Sequence, residues 1–285
     1  MTHKRSAAQV GPRPAGPTTS ELGLLGGSRR DYDLIRIAPA PDLANLVERH
    51  WLVTWDLGAG RRSSTTHLPH PCVNLVFDGG RLAVAGVGRE VFTYGLAGRG
   101  RVFGVKFRPG GFRPLWDSPV ADLTERVVPL AARWGQEVAD LERALSAAPS
   151  GEELVEAIEP FLRRRLPEAD ADAELVGRIV RALLSDRSVA RVDDVAHRFG
   201  ISLRSMQRLF REYVGVSPKW VLQRYRLHEA AARLAEGTPG TWAAVAADLG
   251  YSDQSHFIRD FTRAVGLTPG AYAAECLQNR GPLAV

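Results

Sequence analysis

Cysteine is nearly absent from this chain: Cys72 and Cys276 are the only two in 285 residues. Two thiols so far apart exclude a disulfide framework and cannot build a four-cysteine zinc site. They fit a reducing compartment. Long apolar runs are absent too. No stretch approaches the roughly 18 consecutive apolar residues that a membrane-spanning helix needs. The first residues (His3, Lys4 and Arg5, then Pro, Gly, Ala and Thr up to Thr19) lack the apolar core of a secretion signal. The expected location is therefore the cytoplasm, with no membrane partner. Catalytic signatures are equally scarce. No phosphate-binding glycine loop, metal-binding helix motif or Ser-His-Asp grouping is legible, so no enzyme and no cofactor are expected.

What is present suffices for about two globular domains. The net charge of +5 leans towards an anionic partner without naming one. Residues 1–30 are rich in Gly, Pro, Arg and Ser and read as a disordered arm. Residues 31–167 read as a β-rich regulatory domain, for sensing or dimerisation, that ends in helices. Trp51, Val53 and Trp55 alternate with Leu52 and Thr54, as in a strand with one buried face. Val73–Phe77, closed by Asp78-Gly79-Gly80, and the runs at 82–87, 91–94 and 102–107 follow at short spacing, which suggests a small barrel or sandwich. Asp122-Leu123-Thr124-Glu125 resembles a helix start. Gln136–Ala147 and Glu152–Leu166 have amphipathic helical spacing. Pro167–Asp172 is an acidic break, after which 168–276 reads as entirely helical, with 277–285 as a tail. The fold class is α+β overall.

The strongest signal is an internal repeat. Val195-Ala196-His197-Arg198-Phe199-Gly200-Ile201-Ser202 recurs fifty residues later as Val245-Ala246-Ala247-Asp248-Leu249-Gly250-Tyr251-Ser252. The offset then becomes fifty-one: Arg208 matches Arg259, Phe210 matches Phe261, and Ser217-Pro218 matches Thr268-Pro269. Each copy has the pattern of a helix-turn-helix. A short apolar-faced helix ends at a glycine, which lacks the Cβ that obstructs positive φ. Ser202 and Ser252 are placed to cap the next helix. Apolar stripes (Met206, Leu209 or Phe210, and Val214; Phe257, Phe261 and Val265) would pack that helix and leave its other face free for the DNA major groove.

That free face carries the candidate DNA-binding residues: Ser202, Arg204, Ser205, Gln207, Arg208 and Arg211 in the first copy, and Gln254, Ser255, His256 and Arg259 in the second. Arg can pair bidentately with guanine, and Gln with adenine. Eight basic residues (198, 204, 208, 211, 219, 224, 226 and 233) stand against Glu212 and Glu229 between Arg198 and Arg233, a local field suited to phosphate. Lys219–Ala235, stopped by Gly237 and Pro239, reads as one rigid helix that spaces the two copies.

These residues resemble the AraC/XylS class of transcription regulators. The match rests on Gly200-Ile201-Ser202, Gln207-Arg208-Leu209-Phe210, Gly215-Val216-Ser217-Pro218, Tyr251-Ser252, His256-Phe257, Phe261 and Leu267-Thr268-Pro269. Ile258 departs from it, standing where the class often has a small or polar residue. The resemblance covers about residues 174–275. It implies a seven-helix domain that binds double-stranded promoter DNA. It also admits RNA polymerase, a small organic effector and a second copy of the chain as partners. Pro69–Phe77 and Phe107–Phe112 resemble a β-rich domain found in some such regulators.

The remaining signals are weaker. His67, His70 and Cys72 form H-x-x-H-x-C, but no acidic residue nearby completes a usual ligand set, so no metal is expected. Trp51, Trp55, Phe77, Phe92, Phe103 and Phe107 are either barrel core or the lining of an effector pocket. Phe107–Phe112 reads as a turn leading into helix rather than a binding loop. A DNA-tethered repair enzyme is the rival class, and it needs more cysteines than the chain has.

Overall fold

The computed structural model describes residues 24–26, 31–166, 170–186, 191–237 and 241–279. Most of the expected arm lies outside these, as do Pro239 and the tail beyond 279. Leu24–Gly26, within the arm, forms a short strand (β1).

β1 joins β4 (Arg62–His67) and β7 (Phe92–Ala97) in a three-stranded antiparallel sheet. A six-stranded antiparallel sheet runs in the order β2 (Asp33–Ile37), β3 (Val47–Asp56), β8 (Arg99–Phe107), β5 (Asn74–Asp78), β6 (Arg81–Ala85), β9 (Val127–Pro129). Leu52, Leu75, Phe77, Phe103, Val105 and Phe107 form its inner face. Against that face pack α1 (Ala131–Ala147) and α2 (Gly151–Arg163), through residues such as Leu141, Leu154 and Phe161. Arg101 fixes the end of α1 by donating to the carbonyls of Leu145 and Ala148, which the helix leaves unsatisfied.

Two expectations are corrected. The deeper face of β3 carries His50 and Leu52, not the tryptophans. Trp51 and Trp55 lie on the opposite face, flat over β8 glycines: a Cβ at Gly104 would sit 2.2 Å from the Trp51 ring, and one at Gly100 2.3 Å from the Trp55 ring. The helix start expected at Asp122 is a short 3-10 turn (Val120–Leu123). Glu125 then takes a φ of 59°, and Val127-Val128 extends the sheet edge before α1 begins at Ala131. The six aromatics divide accordingly. Phe77, Phe103 and Phe107 are core, whereas Phe92 is exposed. Phe107–Phe112 does turn: Gly111 N–H donates to Arg108 O at 2.8 Å, and Phe112 packs against Phe107. His67, His70 and Cys72 take separate neighbours, namely Thr65, His228 and Asn74.

The helical part comprises α3 (Ala171–Ser185), α4 (Val192–Arg198), α5 (Leu203–Tyr213), α6 (Pro218–Glu236), α7 (Trp242–Asp248), α8 (Gln254–Val265) and α9 (Pro269–Asn279). No strand occurs here among the described residues. Two cores share α6. Val221, Leu222 and Tyr225 belong to the first, with Met206 and Phe210. Leu227, Ala230, Ala231 and Leu234 belong to the second, with Phe257 and Phe261.

The two parts meet along a seam of apolar and polar contacts, with Val87 entering the first helical core and Leu68 the second. Arg113 Nε donates to Glu212 at 2.7 Å, and Thr124 Oγ1 donates to the Gly215 carbonyl at 2.8 Å. The His70 and His228 rings stack 3.9 Å apart. Burial, reinforced by the Arg224 charge, pushes the His228 pKa down to about 3, so its ring is neutral.

Candidate nucleic-acid interface

The repeat is one backbone device built twice. In the first copy Phe199, Gly200 and Ile201 donate to Val195, His197 and Ala196 at 3.1, 3.0 and 3.1 Å. In the second, Leu249, Gly250 and Tyr251 donate to Val245, Ala247 and Ala246 at 3.1, 2.9 and 2.9 Å. Gly200 and Gly250 take φ of 66° and 71°, a left-handed conformation that side chains disfavour. The shared turn sets α5 across α4 and α8 across α7. The expected stripes are buried: Met206, Leu209, Phe210 and Val214 in the first unit, and Phe257, Phe261 and Val265 in the second. Ile258 packs part-buried against the second core.

The caps differ. Ser202 Oγ accepts from Ser205 N at 3.1 Å, as expected. In the second unit the cap is Asp253, not Ser252: its carboxylate accepts from His256 N at 2.7 Å. The extra residue in the second turn shifts the cap by one, the same insertion that changes the repeat offset to fifty-one. A carboxylate also suits a helix N-terminus, where the backbone dipole is positive. The hydrogen bond from His256 N holds Asp253 below the usual carboxylate range. Ser252 instead donates to Asp253 and contacts His256 Nδ1 at 3.2 Å. Reading Ser252 as the cap missed Asp253, although the change of offset was the available signal.

Opposite the buried stripes, Ser202, Arg204, Gln207, Arg208 and Arg211 are exposed on the first unit, with Ser205 half-buried. Gln254, Ser255 and Arg259 are exposed on the second. Arg204, Arg208 and Arg211 form no ion pair or side-chain hydrogen bond among the described residues. A phosphate or a guanine edge could therefore take these guanidinium groups without breaking an internal pair. His256 differs: its second ring nitrogen lies 3.4 Å from Asp260, and the ring packs edge-on against Tyr251.

The basic field is narrower than the eight-residue count suggests. Arg198 pairs with Asp186 at 2.8 Å. Arg233 pairs with Glu229 at 2.6 Å and with Asp248 at 3.3 Å. Arg226 reaches the Gly250 carbonyl. Arg224 is buried in the seam, where it donates to the Arg89 carbonyl, and burial lowers its pKa to about 10. Arg204, Arg208, Arg211 and Lys219 remain exposed without an ion pair among the described residues, whereas Arg198 is exposed but paired.

α6 links the units as one helix of 19 residues, about 28 Å long. Ser217 Oγ caps its start, accepting from Trp220 N at 3.2 Å. Gly237, at φ 76°, ends it. No helix among the described residues is long and apolar enough to cross a membrane.

Two family models match: a helix-turn-helix domain over residues 195–275, and a domain of unknown function (DUF6597) over residues 35–129. The HTH-type transcriptional regulator Rv1931c of Mycobacterium tuberculosis is 37% identical over 82 residues, 29% of this chain and 31% of that protein. A putative AraC-like transcription regulator of Streptomyces lividans is 35% identical over 81 residues, 28% of this chain and 26% of that protein. The chain thus spans less than a third of the length of these curated relatives. ToxT from Vibrio cholerae aligns over 86% of this chain and 97% of its own, at 12% identity and a TM-score of 0.39. Residues 195–275 thus form a helix-turn-helix domain.

Proposed function

We propose that this protein is a transcription regulator that binds double-stranded DNA directly, with α5 and α8 in adjacent major-groove segments. One observation carries the reading. A duplicated turn with the same hydrogen bonds presents two helices, each with a buried stripe behind and an exposed polar face in front. Arg204, Gln207 and Arg208 read bases in one segment. Gln254, Ser255 and Arg259 read them in the next, and His256 braces the start of α8. Ser202, Ser205 and Arg211 take phosphate oxygens. The β domain receives a small organic effector and biases the DNA-binding part through α1, α2 and the seam, because packed elements can hold two discrete arrangements where a loose tether transmits little. The site of action is the cytoplasm, at promoters served by RNA polymerase.

The test is selection of bound fragments from genomic DNA, followed by affinity measurement on the enriched site and on a scrambled one. The reading expects a preference of at least a thousandfold, within the usual range for specific binding. Equal affinity for both sequences would reject it.

A further inference from the structure

The seam between the β domain and the first helix-turn-helix unit contains a cleft of about 430 Å³, a size typical of small-molecule sites. One wall is formed by the chain near Leu46 and by the turn after β8. The other is formed by α3, and Tyr225 of α6 joins them.

The charges in this cleft are not balanced. Of its acidic groups, Asp42 is paired with Arg163 at 2.6 Å. Glu48 is shared by Arg49 at 2.6 Å and Lys106 at 3.2 Å. Asp170 caps α3 and accepts from the Tyr213 hydroxyl at 3.1 Å. The basic groups are less occupied. The guanidinium groups of Arg178 and Arg181, one turn apart on α3, make no ion pair or hydrogen bond among the described residues. Arg108 is half-buried, and the one hydrogen bond of its guanidinium group among the described residues is from Nε to the Ala44 carbonyl at 2.7 Å. Three guanidinium groups thus face one carboxylate, Glu174, that has no partner of its own among the described residues.

A second observation is independent of charge. Tyr225 is 6% exposed and lines the cleft, yet its hydroxyl makes no hydrogen bond among the described residues. A phenolic hydroxyl on a cavity wall without a protein partner can donate to a ligand acceptor. Burial holds the phenol well above its ordinary pKa, so it stays a donor.

We propose that this cleft binds a small organic carboxylate, received by Arg108, Arg181 and the Tyr225 hydroxyl, with its carbon body against Leu46 and Leu184. Guanidinium groups match a carboxylate's two oxygens, and the apolar lining gives an organic acid an advantage over a bare inorganic anion. The same helix carries Val176, Ile179, Val180 and Leu183 into the core of the first helix-turn-helix unit. A ligand bridging the walls would therefore hold that unit against the β domain. This deepens the effector reading above and rests on it for its regulatory meaning, but not for binding itself.

The test uses the full chain, with benzoate and hexanoate as probes, benzamide and hexanamide as their neutral counterparts, and inorganic phosphate as a bare anion. Thermal shift and calorimetric titration are run at constant ionic strength. At least one carboxylate is expected to bind saturably, its amide not to bind, and phosphate to bind at least tenfold more weakly. The Arg178→Gln/Arg181→Gln variant, altered only on an exposed helix face, should weaken the carboxylate at least tenfold. Tyr225→Phe should weaken it several-fold, and if that variant does not fold, the arginine variant decides alone. The proposal is overturned if neither carboxylate saturates, if the amide or phosphate binds as well, or if the arginine variant binds like the parent. DNA affinity is measured in parallel with and without the carboxylate. Saturable binding that leaves DNA affinity unchanged would keep the site and reject its regulatory role. Failure of sequence-specific DNA binding would reject the regulator reading alone.

Discussion

The two helix-turn-helix units share a backbone and differ in chemistry. Their turns close through matching hydrogen bonds and both hinge on a left-handed glycine. Yet α5 presents Arg204, Arg208 and Arg211 without internal partners. In α8, Arg259 is exposed, Arg263 lies 3.4 Å from Asp260, and His256 is held between Ser252 and Asp260. The first unit is thus suited to supply most of the electrostatic attraction to DNA, and the second to refine the choice of sequence. Duplication conserves the device that positions a helix and leaves its outer face free to diverge.

The largest expected effect comes from breaking the connection between the units. Proline at Ala231, inside α6 and in the second core, removes a backbone donor and clashes with the carbonyl four residues back, at a cost of about 3 kcal/mol or more. Ala231→Pro should abolish binding to a two-segment site while the β domain stays folded. Gel-shift and circular dichroism check this; a footprint of unchanged length and affinity would show that α6 sets no spacing.

Next come the outer faces. Arg204→Ala should cost roughly 1–3 kcal/mol on the selected site and relax preference at its base position. Arg259→Ala should cost less. Salt titration sharpens the comparison, because each lost phosphate contact lowers the slope of log K against log salt by about 1. The slope should fall for Arg211→Ala and stay nearly constant for Gln254→Ala.

The turns themselves were legible in the sequence because turn chemistry is local. Glycine at the left-handed position, a cap after it and apolar residues at helical spacing all lie within about twenty residues. The strands that escaped notice lack such signals. β4 reads Arg-Ser-Ser-Thr-Thr-His and buries only Thr65, so nothing in it alternates between apolar and polar. Val127-Val128-Pro129 belongs to the sheet only because β6 offers an open edge. The seam was illegible for the same reason. Arg224 and His228 read as one basic and one polar residue on a long helix, and only the distant loops around Pro69 and Arg89 turn them inward. Within the candidate interface, helix faces followed from spacing. The availability of each cation depended on partners such as Asp186 and Asp248 that local pattern does not pair with it.

A smaller effect separates the two glycines. Alanine at either position takes a left-handed conformation, at about 1–2 kcal/mol. At Gly200 an added Cβ meets nothing within 4 Å, whereas at Gly250 it would lie 2.9 Å from the Arg226 guanidinium, which donates to the Gly250 carbonyl. Gly250→Ala should therefore lower Tm more than Gly200→Ala; equal shifts would show that the Arg226 contact adds nothing.

The smallest effect concerns the caps, and pH distinguishes them. Ser202 does not titrate, and Ser202→Ala should cost about 1 kcal/mol at any pH. Asp253 is held below the ordinary carboxyl value of 3.8 in the folded chain by the hydrogen bond from His256 N. Its contribution is complete above that value and is lost as pH falls through the depressed folded pKa. Amide exchange at the start of α8 should therefore quicken in acid before that at the start of α5, and Asp253→Asn should remove the difference. Parallel acid dependence at both helices would contradict this account of the caps.

The central claim is that one chain reads two adjacent groove segments, and hydroxyl-radical footprinting of the full chain on its selected site tests it most directly. The account predicts two protected segments about one helical turn apart on one face of the duplex. Arg204→Ala should weaken one segment and Gln254→Ala the other. A single protected segment, or two segments weakened equally by either substitution, would contradict it.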